Sequence, residues 1–287
     1  MTATEARPDE AAPVGGRDRL LLTLGAFAAM GVFALGINVL GPALDIIAEV
    51  FSLPLAQAGL LPSMMMVGIL IGVAAGGVLS DFAGARVVAM LAMGALATGA
   101  ALVATASLFP LALVAMALIG AGGGLTMGFA NPLVAALWPG RAASMLNILN
   151  AAYPGCAIAV SLGTGIWIQR GLDWRVLYVI AAAAGAATFL SFAARRATVS
   201  SGDGITLAQL PALLRSSLIP HLGLMMILSM GAEAGVGSWL CMYAVRDLGF
   251  STALAGSALS LFWVGMLIGR LALGFMSDRM RLSALII

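Results

Sequence analysis

Charge is what this chain has least of. Of its 287 residues, 9% are charged and 62% are hydrophobic, whereas about a quarter of a soluble domain is charged. A soluble fold is therefore excluded. The apolar runs are far longer than barrel strands, which leaves an all-α membrane protein with several spans. Lysine is missing altogether: all fourteen basic residues are arginine, and nothing in the sequence explains that. The arginines are scattered, with no basic patch and no interleaved aromatics, so the net charge of +2 does not point to nucleic acid. Histidine occurs once, at His221, which excludes a multi-histidine metal centre. Cysteine occurs twice, at Cys156 and Cys241, inside apolar runs. Small packing residues are the expected reading, against a disulfide or a metal pair. One histidine and one deep acid leave no catalytic constellation, so neither an enzyme nor a cofactor is expected.

What is present is a succession of spans, each near the ~20 residues that cross a bilayer. Residues 1–19 are polar and read as a cytoplasmic tail without a cleavable signal. Spans are expected over 20–40, 56–79, 87–106, 110–137, 145–168 and 176–193, a bundle of six within residues 20–196. Asp45 and Glu49 are expected in a short exposed segment. Residues 197–217 form the longest polar stretch, a cytoplasmic linker with a short amphipathic helix at 207–214. Residues 218–287 hold span 7 to about Tyr243, span 8 over 253–276 and the start of a ninth at Leu282. With the N-terminus in the cytoplasm, eleven arginines lie on that side and only Arg170, Arg175 and Arg246 lie outside. The seventeen methionines read as packing filler.

The stretch 231–243, GAEAGVGSWLCMY, holds Glu233, the one acid deep inside a span. A carboxylate there costs ~2.5 kcal/mol or more, so it faces a protein interior or a wet cavity. Gly231, Gly235 and Gly237 around it let another helix approach. Two readings stand: a solute or proton site, or a neutral acid bonded to a neighbouring helix. The other polar and aromatic groups of the central spans are Asn38, Asn131, Asn147, Asn150, Tyr153, Ser238, Trp239 and Tyr243. Amides beside rings suit a neutral polyhydroxylated ligand, while asparagine in a span also serves as helix–helix glue. Asn147 and Asn150 share one face of span 5. Trp239 lies about 120° around the helix from Glu233 and faces either the cavity or lipid.

Gly77-Val-Leu-Ser80-Asp81 recurs as Gly274-Phe-Met-Ser277-Asp278, at an offset of 197 residues. Each copy ends the second span of its half. Such a repeat is expected of a transporter whose halves rock against each other. By the same repeat a full second half would end near residue ~393. The six residues of span 9 cover only ~9 Å of a ~30 Å core. The sequence is therefore expected to be C-terminally truncated, with a complete first bundle and an incomplete second one.

Gly77-x-Leu79-Ser80-Asp81-Phe82-Ala83-Gly84-Ala85-Arg86 resembles the loop 2–3 signature of the major facilitator superfamily. The resemblance implies a cytoplasmic gate at Gly77, Asp81, Gly84, Arg86, Asp278 and Arg279. In it the acid caps a helix end, as the helix dipole favours, and basic residues pair with acids across the seam. Phe82 stands where the family usually has a basic residue, and Arg281 replaces the second copy's glycine. Gly120-x-Gly122 is similar to the family's span 4 pattern, with Met116 where proton-coupled exporters carry arginine.

Ala130-Asn131-Pro132-Leu-Val134, Leu146-Asn147 and Gly155 are similar to the fucose/glucose permease group. So are Gly231-Ala232-Glu233, Gly237-Ser238-Trp239-Leu240, Tyr243 and Gly269-Arg270. Membership would imply sugar uptake by proton symport through a monomer in the inner or plasma membrane. Its partners would be a small-molecule solute, the bilayer and protons. Asn38 and Met127 stand where that group has proton-linked acids, which leaves Glu233 as the coupling candidate. The expected function is secondary transport of a small, sugar-like solute by alternating access. An exporter of drugs or metabolites is the alternative. A non-transporting sensor is disfavoured, since no soluble output domain is present.

Overall fold

The computed structural model describes residues 15–195 and 218–277. Most of the expected tail, the linker with its helix at 207–214, the ninth span, Asp278 and Arg279 lie outside the described residues. The elements are α1 (Gly16–Asn38), α2 (Leu40–Val50), α3 (Leu55–Ala58), α4 (Leu60–Thr105), α5 (Phe109–Leu137), a 3-10 turn (Pro139–Arg141), α6 (Ala142–Gln169), α7 (Arg175–Ala193), α8 (Leu218–Arg246) and α9 (Thr252–Ser277). Among the described residues, eight helical stretches are long and apolar enough to cross a membrane. The fold is all-α, a six-span bundle joined by two spans of a second.

α4 carries two spans. They meet at Gly84, whose φ of 78° lies in the left-handed region that glycine enters without steric cost. The expected turn between spans 2 and 3 is thus made by one glycine.

Glu49 is exposed as expected, but Asp45 is half-buried and the segment is not irregular. They belong to a helix, α2, that prolongs span 1. Leu40, Leu44 and Ile47 on α2 are at most 1% exposed, because their spacing gives the helix one apolar face. The charge of Asp45 is answered by Arg246 at the end of α8, with Nε donating to Oδ1. The break between α1 and α2 follows from Pro42, which has no N–H to bond the carbonyl of Asn38.

Glycine also sets how closely the first bundle packs. A Cβ on Gly68 or Gly72 of α4, or on Gly120 or Gly124 of α5, would overlap the facing backbone. Spacing by four puts each pair on one face, so the two backbones touch, which is how helices associate where burial from water gives no drive. Phe129 and Phe192 meet edge to face at 5.7 Å in the same core. A smaller cluster of Ala157, Cys241, Ala244, Ala255, Leu259 and Trp263 joins α6 to α8 and α9. Both cysteines are free thiols, and the Cys241 Sγ donates to the Ala255 carbonyl at 3.4 Å.

The second group of helices meets the first along one end. α9 runs antiparallel to α6. A Cβ on Gly165 would stand 2.6 Å from the Thr252 carbonyl oxygen, and one on Gly256 would stand 2.6 Å from that of Ser161. Further along, Ser260 Oγ donates to the Ile158 carbonyl at 2.9 Å, and Trp263 meets Tyr153 edge to face at 5.6 Å between centroids. α8 closes on α2, where a Cβ on Gly41 would stand 2.5 Å from the Gly237 carbonyl oxygen. This end, with Asp45 and Arg246, is sealed. Toward the other end, marked by Gly84 and Arg141, Asn147 of α6 and Arg270 of α9 are exposed.

Candidate functional site

Two prolines prepare the site. Asn38 and Asn150 each stand four residues before a proline, Pro42 and Pro154. A proline lacks the N–H that would bond the carbonyl four residues back, so both asparagine carbonyls lose their helical donor. The side chains tie neighbouring helices together. Asn38, 4% exposed, donates from Nδ2 to the Ala34 carbonyl at 2.9 Å and to Tyr153 Oη at 3.3 Å. Asn150 donates from Nδ2 to the Leu146 carbonyl at 2.9 Å and to Asn131 Oδ1 at 3.2 Å. Asn131 in turn donates to the Met127 carbonyl at 3.5 Å. An asparagine carries an acceptor oxygen besides its two N–H donors. The Oδ1 atoms of Asn38 and Asn150 accept no bond among the described residues.

Tyr153 is the centre of an aromatic floor. Its ring lies 4.9 Å from Phe33 of α1 and 5.6 Å from Trp263 of α9. Phe262 meets Trp263 edge to face at 5.3 Å. Trp263 is 3% exposed, and its Nε1 has no acceptor among the described residues, a buried donor of the kind native structures seldom leave unused.

Glu233, half-buried on α8, sits one turn from Gly237 and so faces the same seam. α1, α6 and α9 thus bring one amide, one phenol and one indole together where the sealed contacts end.

The structure joins Asn38 to Tyr153, with the Asn131–Asn150 pair one turn of α6 away and Asn147, exposed, one turn further, while Glu233 is half-buried on α8. Ser238 is buried, at 6% exposure, on the sealed side. Trp239 turns toward Gly59, where a Cβ would stand 3.0 Å from its Cζ2. It therefore faces the first bundle at the sealed end, neither lipid nor the floor. Tyr243 is 54% exposed and stays outside the cluster.

Of the expected gate residues, Gly84 makes the turn, Gly77 has open space beside it and Asp81 lies in the helix before the turn. Among the described residues, Arg86 binds backbone carbonyls. It donates from Nε to the Phe192 carbonyl at 3.1 Å and from Nη2 to the Ala193 carbonyl at 2.6 Å. The negative end of the α7 dipole serves in place of a carboxylate.

Phe33 and Trp263 were not legible as site residues, and Arg270 was read as part of the permease-like pattern without a site role. Aromatics in apolar runs read as ordinary packing. Arg270 counts with the cytoplasmic arginines by the inside–outside rule, yet it lies within the membrane-crossing stretch Thr252–Ala272. A cation inside an apolar span was the signal available.

The family model described as Major Facilitator Superfamily matches residues 26–287. Among solved structures, a D-xylose–proton symporter is similar at 17% identity and a TM-score of 0.69, with 91% of this chain and 69% of that one covered. A partially occluded inward-open form of the xylose transporter XylE from E. coli is similar at 15% identity and a TM-score of 0.65, with 92% and 74% covered. A bacterial homologue of the human drug peptide transporters PepT1 and PepT2 is similar at 16% identity and a TM-score of 0.52, with 92% and 55% covered. Identities at this level establish the fold. No curated protein matches the chain.

Proposed function

Because the chain belongs to the Major Facilitator Superfamily, we propose that it carries a small polar organic solute, sugar-like, across the membrane by alternating access. The observation that supports this most directly is the Asn38–Tyr153 bond resting on Trp263. The polar pair joins two helices of the first lobe, and its edge-to-face contact with Trp263 reaches the second. Rings stack on the apolar faces of sugars, and the free amide oxygens accept hydroxyl donors. The sealed end and the parted opposite end correspond to one limit of the cycle. With the N-terminus in the cytoplasm, as arginine placement favours, that limit faces inward. Met116 is fully buried in the first bundle, so this span 4 carries an apolar packing residue where an exporter would place its arginine.

Glu233 is the proton-coupling group in this reading, as the acid set inside an apolar span without an ion-pair partner among the described residues. Uptake of a labelled sugar into proteoliposomes tests it. An inward proton gradient should accelerate uptake, and Glu233→Gln should lower the gradient-driven rate by about tenfold or more, the scale of a lost charged interaction. Unchanged pH-dependent uptake by E233Q would remove Glu233 from the mechanism.

A further inference from the structure

We propose that the groove between α1 and α7 seats an acyl chain of an anionic phospholipid, with Arg195 and Arg17 holding its phosphate. The groove lies apart from the Asn38–Tyr153 pair, so it stands or falls independently of the solute. Its volume is about 270 Å³, and its walls include Leu21, Leu24 and Ala28 on α1 and Ala187, Ser191 and Arg195 on the α7 side. A mismatch of sizes makes it. A Cβ on Gly25 would stand 2.9 Å from the Phe192 ring, so the two helices touch at that level. The small side chains of Ala28 and Ala187 beside the contact leave a slot. Register places the arginines. α1 and α7, the first and sixth spans, run antiparallel. Arg195, three residues past Phe192, comes level with Leu22. Arg17 lies one turn before Leu21, on the same face of α1. Both arginines thus stand at one end of a slot that runs ~10 Å from Leu21 to Ala28.

The wall decides what fills the slot. Thr188 Oγ1 donates to the Ala184 carbonyl at 2.8 Å, and Ser191 Oγ donates to the Thr188 carbonyl at 2.7 Å. No hydroxyl proton is left for a polar ligand, and the other side chains below Arg195 offer only hydrocarbon. Leu24, Ala28 and Ala187 are exposed. α7 packs on α1 and α4, while α8 and α9 are held by α2 and α6. The groove therefore opens on the outer side of the first bundle, where acyl chains are the solvent. Its volume falls short of the ~300–1,000 Å³ of pockets for drug-sized ligands and suits a single chain.

The mouth decides the head group. Among the described residues, no carboxylate lies within ion-pair distance of Arg17 or Arg195. The arginines near them are committed: Arg19 lies over the Trp138 ring at 4.3 Å, and Arg86 bonds the Phe192 and Ala193 carbonyls. Asp18, the acid in the first turn of α1, stands ~100° around the helix from Arg17. Gly15 gives α1 no side-chain cap, so the positive end of its dipole adds to the arginines. The mouth is net cationic. A guanidinium binds phosphate through two parallel bonds, and the surplus of positive charge selects a head group that brings no cation of its own. Arginine placement puts this end in the cytoplasm, and the anionic lipids of that leaflet attract arginines next to the membrane.

Native mass spectrometry of the purified protein, titrated with dioleoylphosphatidylglycerol or dioleoylphosphatidylcholine, tests the proposal. The two lipids share their chains and differ in head-group charge. The first phosphatidylglycerol should be held about tenfold or more tighter than the first phosphatidylcholine, the scale of charge-assisted bonds. Arg195→Gln should cut that preference by about fivefold or more. Arg195→Lys should keep part of it, since the charge stays and the fork is lost. Ala187→Trp, which fills the slot, should weaken both lipids. Arg170→Gln, at an exposed arginine of the opposite end, should change neither. Glycerol 3-phosphate, a head group without chains, should not displace the lipid. Equal retention of the two lipids, a preference intact in R195Q, or the same loss in R170Q overturns the proposal. Displacement by glycerol 3-phosphate overturns it in favour of a soluble phosphate ligand. Phosphatidylglycerol bound only after removal of residues 1–14 overturns it in favour of that segment as the occupant. Where A187W does not fold, R195Q decides, because Arg195 lies beyond the last turn of α7.

Discussion

Asn38, Tyr153 and Glu233 are polar groups set where an apolar side chain would be cheaper, and that cost is what made them legible. Burying such a group requires a partner, and Asn38 and Tyr153 supply each other's. Tyr153→Phe removes the phenolic oxygen while Asn38 keeps its bond to the Ala34 carbonyl. One net hydrogen bond is worth about 1 kcal/mol. Y153F should therefore lower thermal stability slightly and weaken solute binding about fivefold, read by a melting curve and by calorimetry on the same preparation. Binding unchanged in Y153F would place the phenol outside the solute's reach. Phe33 and Trp263 stayed invisible in the sequence for the opposite reason. A ring in an apolar span costs nothing, so its type alone carries no message, and only their contacts with Tyr153 give them a role.

Between elements, hydropathy and glycine spacing fixed each span to within a few residues, because length and apolar content are local properties. What failed was α2. Asp45 and Glu49 look like a loop until Arg246, 201 residues later, is brought beside Asp45. No local pattern encodes that partner. The pair fastens α2 to α8 at the sealed end, with the Asp45 side chain 16% exposed and that of Arg246 40% exposed. Partly exposed pairs contribute about 0.2–1 kcal/mol. Arg246→Gln should then lower the sealed population by up to about fivefold. Met242, on α8 and 3% exposed against the first bundle's core, reports it. In a background lacking Cys156 and Cys241, a cysteine at 242 should react faster with a membrane-impermeant maleimide when R246Q is present. High salt should mimic the substitution by screening the charges. An unchanged labelling rate would show that glycine packing alone holds the end shut.

At the scale of the molecule, the two halves were visible in the repeat of Gly-x-x-Ser-Asp, but their relative placement was not. Which end is sealed depends on Gly41 meeting Gly237 and Gly165 meeting Thr252, contacts between residues far apart in the chain. The site lies where those contacts stop, so its exposure to one side or the other is set by which end is closed. Distance measurements between paired spin labels test this most directly. One pair belongs at Glu49 and Leu248, exposed positions at the sealed end. The other belongs at Ser144 and Ala272, exposed positions toward the open end. Alternating access requires two distances at each pair, changing in opposite directions as solute or pH shifts the population. A single distance at both ends, unmoved by either, would contradict it.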